Sequence, residues 1–98
     1  MKVYISGPIS GTNDYRKRFA RIESDLKSTG YDTVNPAEAT AHLPEDTTWR
    51  TYMGESLRLL CGCDAIYLMW NWDKSQGAKL EYSVAIRLGM PIMVEDKA

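Results

Sequence analysis

Glu81 is the residue whose setting most clearly suggests chemistry. It lies within residues 75–89, which are typical of a loop that leads into a helix. At ~100° per residue, five small or apolar residues fall within roughly 60° of Glu81 around the helix axis: Gly77, Ala78, Val84, Ala85 and Leu88. A carboxylate is thus predicted on the protein-facing side, where it is costly unless it is paired, hydrogen-bonded or protonated. The pattern favours an acid presented to a small ligand, and the alternative is an ordinary solvated glutamate.

A second candidate feature is the loop that follows the first predicted strand. Residues 2–6 are typical of a short buried strand, and the sequence Gly-Pro-Ile-Ser-Gly then ends it at residues 7–11. Such a glycine-punctuated loop is where α/β proteins bind anions and small ligands. It matches neither the P-loop nor the dinucleotide-binding pattern, so a plain tight turn is the alternative. Tyr4 lies just before this loop, and its hydroxyl is predicted to reach and hold Glu81.

The remaining elements must position these groups. Helices are predicted from Asn13 to about residue 28 and at residues 49–61, with a third around Glu81 that ends at Gly89. Further strands are predicted at residues 31–35, 65–70 and 91–94. Alternating strands and helices predict an α/β fold with a parallel sheet of about four strands, in the order 2-1-3-4, covered by helices on both faces. The loop at 7–11 and the loop at 71–76 then meet between strands 1 and 3.

Hydrophobic spacing also predicts which side chains form the core. The first helix has the apolar stripe Tyr15, Phe19, Ile22 and Leu26, and the second has Trp49, Met53, Leu57 and Leu60. Trp70 is predicted to finish the core. Residues 36–47, which include His42 and two prolines, are predicted to form a functional loop or lid. Asp64 enters its strand at the edge away from the ligand-binding ends, which favours a turn or capping role over catalysis.

Composition excludes several classes of function. The 98 residues predict one domain spanning 1–98, and the net charge of −1 argues against a nucleic-acid-binding surface. No signal peptide or membrane-spanning run is evident, so a cytoplasmic protein is expected. Cys61 and Cys63 lack zinc-ligand spacing and are expected to be buried and reduced. No metal and no cofactor is predicted.

Three segments together resemble a known family. Tyr-Ile-Ser-Gly-Pro-Ile-Ser-Gly at 4–11, Cys-Asp-Ala-Ile at 63–66 and Ser-Gln-Gly-Ala-Lys-Leu-Glu at 75–81 are similar to motifs of the nucleoside 2-deoxyribosyltransferase superfamily. The chain looks closest to a small bacterial and phage branch, and it is also similar to the deoxynucleoside 5′-monophosphate N-glycosidases. The resemblance covers nearly the whole chain. It implies a Rossmann-like or flavodoxin-like three-layer domain that cleaves the N-glycosidic bond of a small nucleoside or nucleoside 5′-monophosphate, as an N-glycosidase or a 2-deoxyribosyltransferase. A homodimer or higher homo-oligomer is expected.

The resemblance also implies roles for individual residues. Glu81 would be the nucleophile that forms a covalent glycosyl-enzyme, and Tyr4 would orient it. The residues implied to bind substrate, including a 5′-phosphate, lie in the two loops: Ser6, Gly7, Ile9, Ser10, Gly11, Ser75 and Gly77. Trp72 is a further candidate, because a nucleobase could stack on it or on Trp70. Packing is the alternative for both and is favoured for Trp70.

The sequence departs from the family pattern at two positions. Ser56 occupies the place of an aspartate that the family usually carries in the helix before strand 3, with Glu55 beside it as a possible substitute. Ser10 occupies the place of an arginine found in the monophosphate enzymes. The first departure leaves an alternative open, namely a catalytically eroded protein that senses or sequesters nucleotides. A further alternative is a partner-binding protein that uses Trp49, Tyr52 and Trp72.

Overall fold

The computed structural model describes residues 1–9 and 14–96, which form a four-stranded parallel sheet with helices on both faces. The strands are β1 (Lys2–Ser6), β2 (Asp32–Val34), β3 (Ala65–Leu68) and β4 (Ile92–Val94). Their order is β2-β1-β3-β4, with every neighbouring pair parallel. The predicted α/β fold and the 2-1-3-4 order are therefore confirmed.

Four helices connect the strands. They are α1 (Tyr15–Ser28), α2 (Pro36–Ala39), α3 (Trp49–Cys61) and α4 (Gln76–Arg87), and a single 3-10 turn at Trp72–Lys74 precedes α4. Side chains cap three of the helices at their first turn: Asn35 caps α2, Thr48 caps α3 and Ser75 caps α4. The predicted cap of α1, Asn13, lies outside the described residues.

The alternation of side chains along β1 divides the interior into two cores. Val3 and Ile5 point to the α1 face, where they pack with the α1 residues Phe19, Ile22 and Leu26. Tyr4 points to the opposite face, where it packs with Leu60 of α3 and Ala85 of α4. The second face is the one that receives the carboxylate of Glu81, described below.

Several predicted positions are wrong, each for a local reason. Part of the predicted lid is the short helix α2, because proline at its first position and the Asn35 cap favour a helical turn there. Trp49 is 56% exposed because it is the first residue of α3 and lies at the cleft, and Leu88 is 56% exposed because it follows the end of α4. Trp70 is 42% exposed because β3 ends at Leu68. Cys61, on the outer side of α3, is exposed, whereas Cys63 is buried as expected.

In the part of the chain that the structure describes, no helix combines the length and the apolar character needed to cross a bilayer.

Candidate functional site

The carboxylate of Glu81 is held by one hydroxyl on each of its oxygens. Glu81 is 6% exposed, on the side of α4 that faces the sheet. The Tyr4 hydroxyl donates a hydrogen bond to its Oε2, and the Ser6 hydroxyl donates one to its Oε1 at 2.7 Å. The predicted contact between Tyr4 and Glu81 is therefore confirmed.

The strand geometry explains why both donors reach the same carboxylate. Tyr4 and Ser6 are two residues apart on β1, so their side chains project from the same face of the sheet. Helix α4 packs over that face, and Glu81 lies in its inward stripe between Ala78 and Ala85. The Ser6 bond to Glu81 was not predicted, although the period of two along the strand placed Ser6 beside Tyr4.

Burial dominates the electrostatics of Glu81. Removal from water raises its pKa from the ordinary 4.5 to about 7, and the hydrogen bonds from Tyr4 and Ser6 limit the rise because they stabilise the charged form. Burial, followed by the nearby charge of Glu81, raises the pKa of Tyr4 well above its usual value. Tyr4 therefore stays protonated and keeps donating across the neutral pH range.

Glu81 opens onto a cleft of about 600 Å³. The walls come from the loop after β1, the start of α1, the segment that follows β2, the first turns of α3 and the first turns of α4. The polar and charged side chains that line it are Tyr15, Arg16, Thr40, Glu45, Thr47, Tyr52, Lys74, Ser75, Gln76 and Glu81. The volume lies within the range of small-molecule sites, roughly 300–1,000 Å³.

Four of the residues predicted to bind substrate line this cleft: Gly7, Ile9, Ser75 and Gly77. Ser75 also caps α4 by accepting a hydrogen bond from the Ala78 N–H at 3.1 Å. Gly7 packs so closely on Met69 that an added Cβ would lie 2.2 Å from the Met69 sulfur. Ser10 and Gly11 lie outside the described residues.

Trp72, Tyr4 and Ser6 are not among the described residues that line the cleft. Tyr4 and Ser6 lie behind Glu81 and act on it directly. The Trp72 ring packs on Tyr82, with ring centroids 4.7 Å apart and planes tilted by 39°. Trp72 also contacts the α3/α4 core, so the structure gives it a packing role.

The two candidates in α3 have different environments. Glu55 is engaged by Arg58 one turn later, whose Nε donates to Oε2 at 3.2 Å, and this ion pair lowers the pKa of Glu55. Ser56 is fully buried, and its hydroxyl has no hydrogen-bond partner among the described residues. The same hydroxyl lies near the phenols of Tyr4 and Tyr52, whose pKa values burial raises, and it offsets part of that rise in both. Ser56, and not Glu55, thus lies near the Tyr4 phenol that bonds Glu81.

Tyr52 is a member of the site that the sequence did not single out for chemistry. It lines the cleft with Glu81, and the charge of Glu81 contributes to raising its pKa, although burial is the larger cause. Its spacing of four residues from Ser56 on α3 puts the two side chains on one helix face. That spacing was a usable signal once Ser56 was under consideration.

Asp64 lies at the amino end of β3, as expected, where its carboxylate accepts the Lys2 backbone N–H at 2.8 Å. Across residues 1–9 and 14–96, no group of three or more metal-ligating side chains comes together. The chemistry of the described cleft therefore centres on the buried carboxylate of Glu81 and the hydroxyls around it, with Arg16, Lys74 and Glu45 as the other charged groups that line it.

Comparisons with known proteins bear on the fold and the family. One similar solved structure is the 2-deoxyribosyltransferase of the psychrotolerant bacterium Bacillus psychrosaccharolyticus, with a TM-score of 0.76 and 20% identity over 96% of this chain and 71% of that one. At this identity the likeness shows a shared fold, and it confirms the fold that the sequence resemblance implied. No curated protein matches the sequence significantly. A family model matches residues 1–94, and the chain therefore belongs to the family described as a domain of unknown function, DUF4406.

Proposed function

We propose that this protein cleaves the N-glycosidic bond of a nucleoside or nucleoside 5′-monophosphate, with Glu81 as the nucleophile. A Glu81 oxygen forms a bond to the anomeric carbon while the bond from that carbon to the base breaks. The bond's electron pair leaves with the base, which takes up a proton. Water or a second base then attacks the same carbon and releases the carboxylate. Attack by water is hydrolysis, and attack by a second base transfers the sugar to that base.

The observation that carries the proposal is the way in which Glu81 is held. One donor on each carboxylate oxygen fixes the group at the cleft wall, and its lone pairs that are not used by Tyr4 and Ser6 remain for a substrate atom. A pKa of about 7 leaves a large fraction of the group ionised near neutral pH, and at a buried position a carboxylate stabilises positive charge on a sugar more strongly than in water. The fold shared with a 2-deoxyribosyltransferase also supports this chemistry.

The mouth of the cleft favours a phosphate on the substrate. Arg16 and Lys74 line it, and the first turn of α4 adds the positive end of a helix dipole beside Ser75 and Gly77. Glu45 opposes them with one negative charge. The balance of these charges supports a nucleoside 5′-monophosphate over a free nucleoside. Arg16 supplies a cation in place of the arginine that the monophosphate enzymes carry at the position of Ser10.

The decisive experiment is a chromatographic assay for free base with a panel of deoxynucleosides and their 5′-monophosphates. The wild type is compared with Glu81→Gln, which keeps the shape and loses the nucleophile. Glu23→Gln is the matched control, because Glu23 binds Thr33 on the opposite face of the sheet. Base release should fall on the order of a thousandfold or more in Glu81→Gln alone.

Two other results would contradict the proposed function. Base release by Glu81→Gln at the wild-type rate would overturn the mechanism. If monophosphates raised the melting temperature but no base appeared, the protein would be a nucleotide-binding protein instead. Adding a second base to an active reaction separates transfer from hydrolysis, and sedimentation of the same sample tests the expected homodimer.

A further inference from the structure

Tyr52 and Ser56 form a hydroxyl pair that the proposed role of Glu81 leaves unused. Tyr52 faces the cleft, whereas Ser56 lies one turn further along α3 and is fully buried. Burying a hydroxyl without a hydrogen-bond partner costs about 1–3 kcal/mol, and the Ser56 hydroxyl has no such partner among the described residues. Such a cost is expected where the group acquires a partner when the site is occupied.

The position of the pair relative to Glu81 limits what it can touch. In the displacement at the anomeric carbon, the nucleophile attacks from the side of the sugar opposite to the base. Groups next to Glu81 therefore meet the sugar ring and its hydroxyls, and the base lies beyond the ring. Tyr52 is in this group, because it shares the cleft wall with Glu81. Besides burial, the Ser56 hydroxyl and the charge of Glu81 act on its phenol.

We propose that Tyr52 is a substrate-contacting residue that hydrogen-bonds the 3′-hydroxyl of the sugar, and that Ser56 positions its phenol. The inference rests on the proposed function, because it assumes a nucleoside in the cleft. The 3′-hydroxyl is the one hydroxyl that a deoxyribosyl ring retains whether its 5′ carbon carries a hydroxyl or a phosphate. A small shift of the phenol on substrate binding would then bring it within bonding distance of Ser56.

This assignment gives a reason for serine at a position where the family resemblance implies an aspartate. A carboxylate at position 56 would lie near the Tyr4 phenol that bonds Glu81, and in this buried site each charge would oppose ionisation of the other. With Ser56 and Tyr52, that region holds neutral hydroxyls, so Glu81 ionises without a second carboxylate at position 56.

The test is a cycle in which the enzyme and the substrate each lose one hydroxyl. The enzymes are the wild type and Tyr52→Phe, and the substrates are a cleaved deoxynucleoside or its monophosphate and the matching 2′,3′-dideoxy compound. Removing the 3′-hydroxyl changes the intrinsic lability of the bond, but equally for both enzymes, so that change cancels. For each enzyme, kcat/KM for the deoxy compound is divided by kcat/KM for the dideoxy compound. This ratio should be at least about tenfold larger for the wild type than for Tyr52→Phe.

Two variants separate the assignment from a general effect. Tyr67→Phe is the matched control, because Tyr67 packs against the α1 core on the other face of the sheet, and it should behave as the wild type does. Ser56→Ala should retain the fold and show a smaller 3′-hydroxyl effect than the wild type, since the phenol is less well held. If the 3′-hydroxyl effect is the same in the wild type and in Tyr52→Phe, the inference is overturned.

The same cycle remains informative if the proposed catalysis fails. Where the wild type releases no base, the dissociation constants of the deoxy and dideoxy monophosphates are measured by calorimetry on both proteins. A 3′-hydroxyl preference that is present in the wild type and lost in Tyr52→Phe supports the contact without catalysis. The inference is overturned if the preference for the 3′-hydroxyl is the same in both proteins, or if neither protein binds either compound.

Discussion

The two faces of the sheet differ in what their buried side chains do. On the α1 face, Val3, Ile5 and Phe19 are fully buried and apolar, and their packing holds the layers together. On the α3/α4 face, apolar residues such as Leu60 surround a polar cluster that includes Glu81. One short strand, β1, serves both faces because its side chains alternate.

The difference indicates how this small chain combines stability with a reactive group. Burial of apolar surface on the α1 face is favourable by roughly 25 cal/mol per Å², and it requires no hydrogen-bond partner. The polar cluster is favourable only while each group keeps its partner, and burial of Glu81 raises its pKa even with two donors present. The α1 face is therefore expected to control the free energy of unfolding, and the other face to control ionisation and ligand contacts.

The largest effect is expected from truncation on the α1 face. Phe19→Ala should lower the free energy of unfolding by about 3–5 kcal/mol, because it removes a fully buried ring and leaves a cavity. Urea unfolding measures the change. The pKa of Glu81 in the molecules that remain folded should not change. A loss below 1 kcal/mol would contradict the assignment of the main core to this face.

The next effect concerns the carboxylate and depends on pH. Folded Glu81 keeps its proton up to about pH 7, whereas the unfolded chain releases it near 4.5, so the folded state holds more protons between these values. The wild type should then lose stability as pH rises from 5 to 8, by on the order of 3 kcal/mol relative to Glu81→Gln. Unfolding curves of both proteins across this range measure it. A difference that does not vary with pH would show that the carboxyl is not perturbed.

A smaller loss of stability is expected from a substitution at Gly7, which packs closely against Met69 beside the cleft. In Gly7→Ala, the new Cβ would lie 2.9 Å from the Met69 Cβ and 2.2 Å from its sulfur, so the methionine must move. The expected cost is about 1–3 kcal/mol. Gly54→Ala is the control, because an added Cβ there meets nothing within 4 Å and alanine favours the α3 helix. The Gly7→Ala cost should shrink in a Met69→Ala background, which removes the sulfur and keeps the Cβ, and an unchanged cost would exclude the sulfur contact as its cause.

The smallest effect tests the hydroxyls that hold Glu81. Ser6→Ala removes the donor to Oε1, so the pKa of Glu81 should rise further, by about one unit. Carboxyl carbon NMR of the labelled side chain follows the titration. Ser83→Ala, on the exposed side of α4, should leave the pKa unchanged. If Ser6→Ala lowers the pKa or leaves it unchanged, the bond does not stabilise the charged form.

Individual residues show which features could be predicted from the sequence and which could not. The periodicity around Glu81 placed it on the inward side of α4, as observed, and the strand order predicted that the two loops meet. The described residues Gly7 and Ile9 of the first loop do line one cleft with residues 74–76 of the second. Trp49, Trp70 and Leu88 were predicted to be buried because spacing on a helix or strand gives a direction but not where the neighbouring element ends. Tyr52 was assigned only to a possible partner-binding surface, because its position on α3 does not show which other elements it faces, and only the cleft showed that it shares a wall with Glu81.

The sequence by itself determined the strand order, the parallel sheet, the carboxylate of α4 and its contact with Tyr4, because these depend on periodicity and on the handedness of short connections. Only the tertiary structure showed which further groups surround that carboxylate. Ser6 from β1, Glu81 from α4 and Tyr52 from α3 are distant in sequence, and their approach depends on how closely two helices pack over one strand. The raised pKa of Glu81 has the same origin, because burial is a property of the packed layers and not of a single segment.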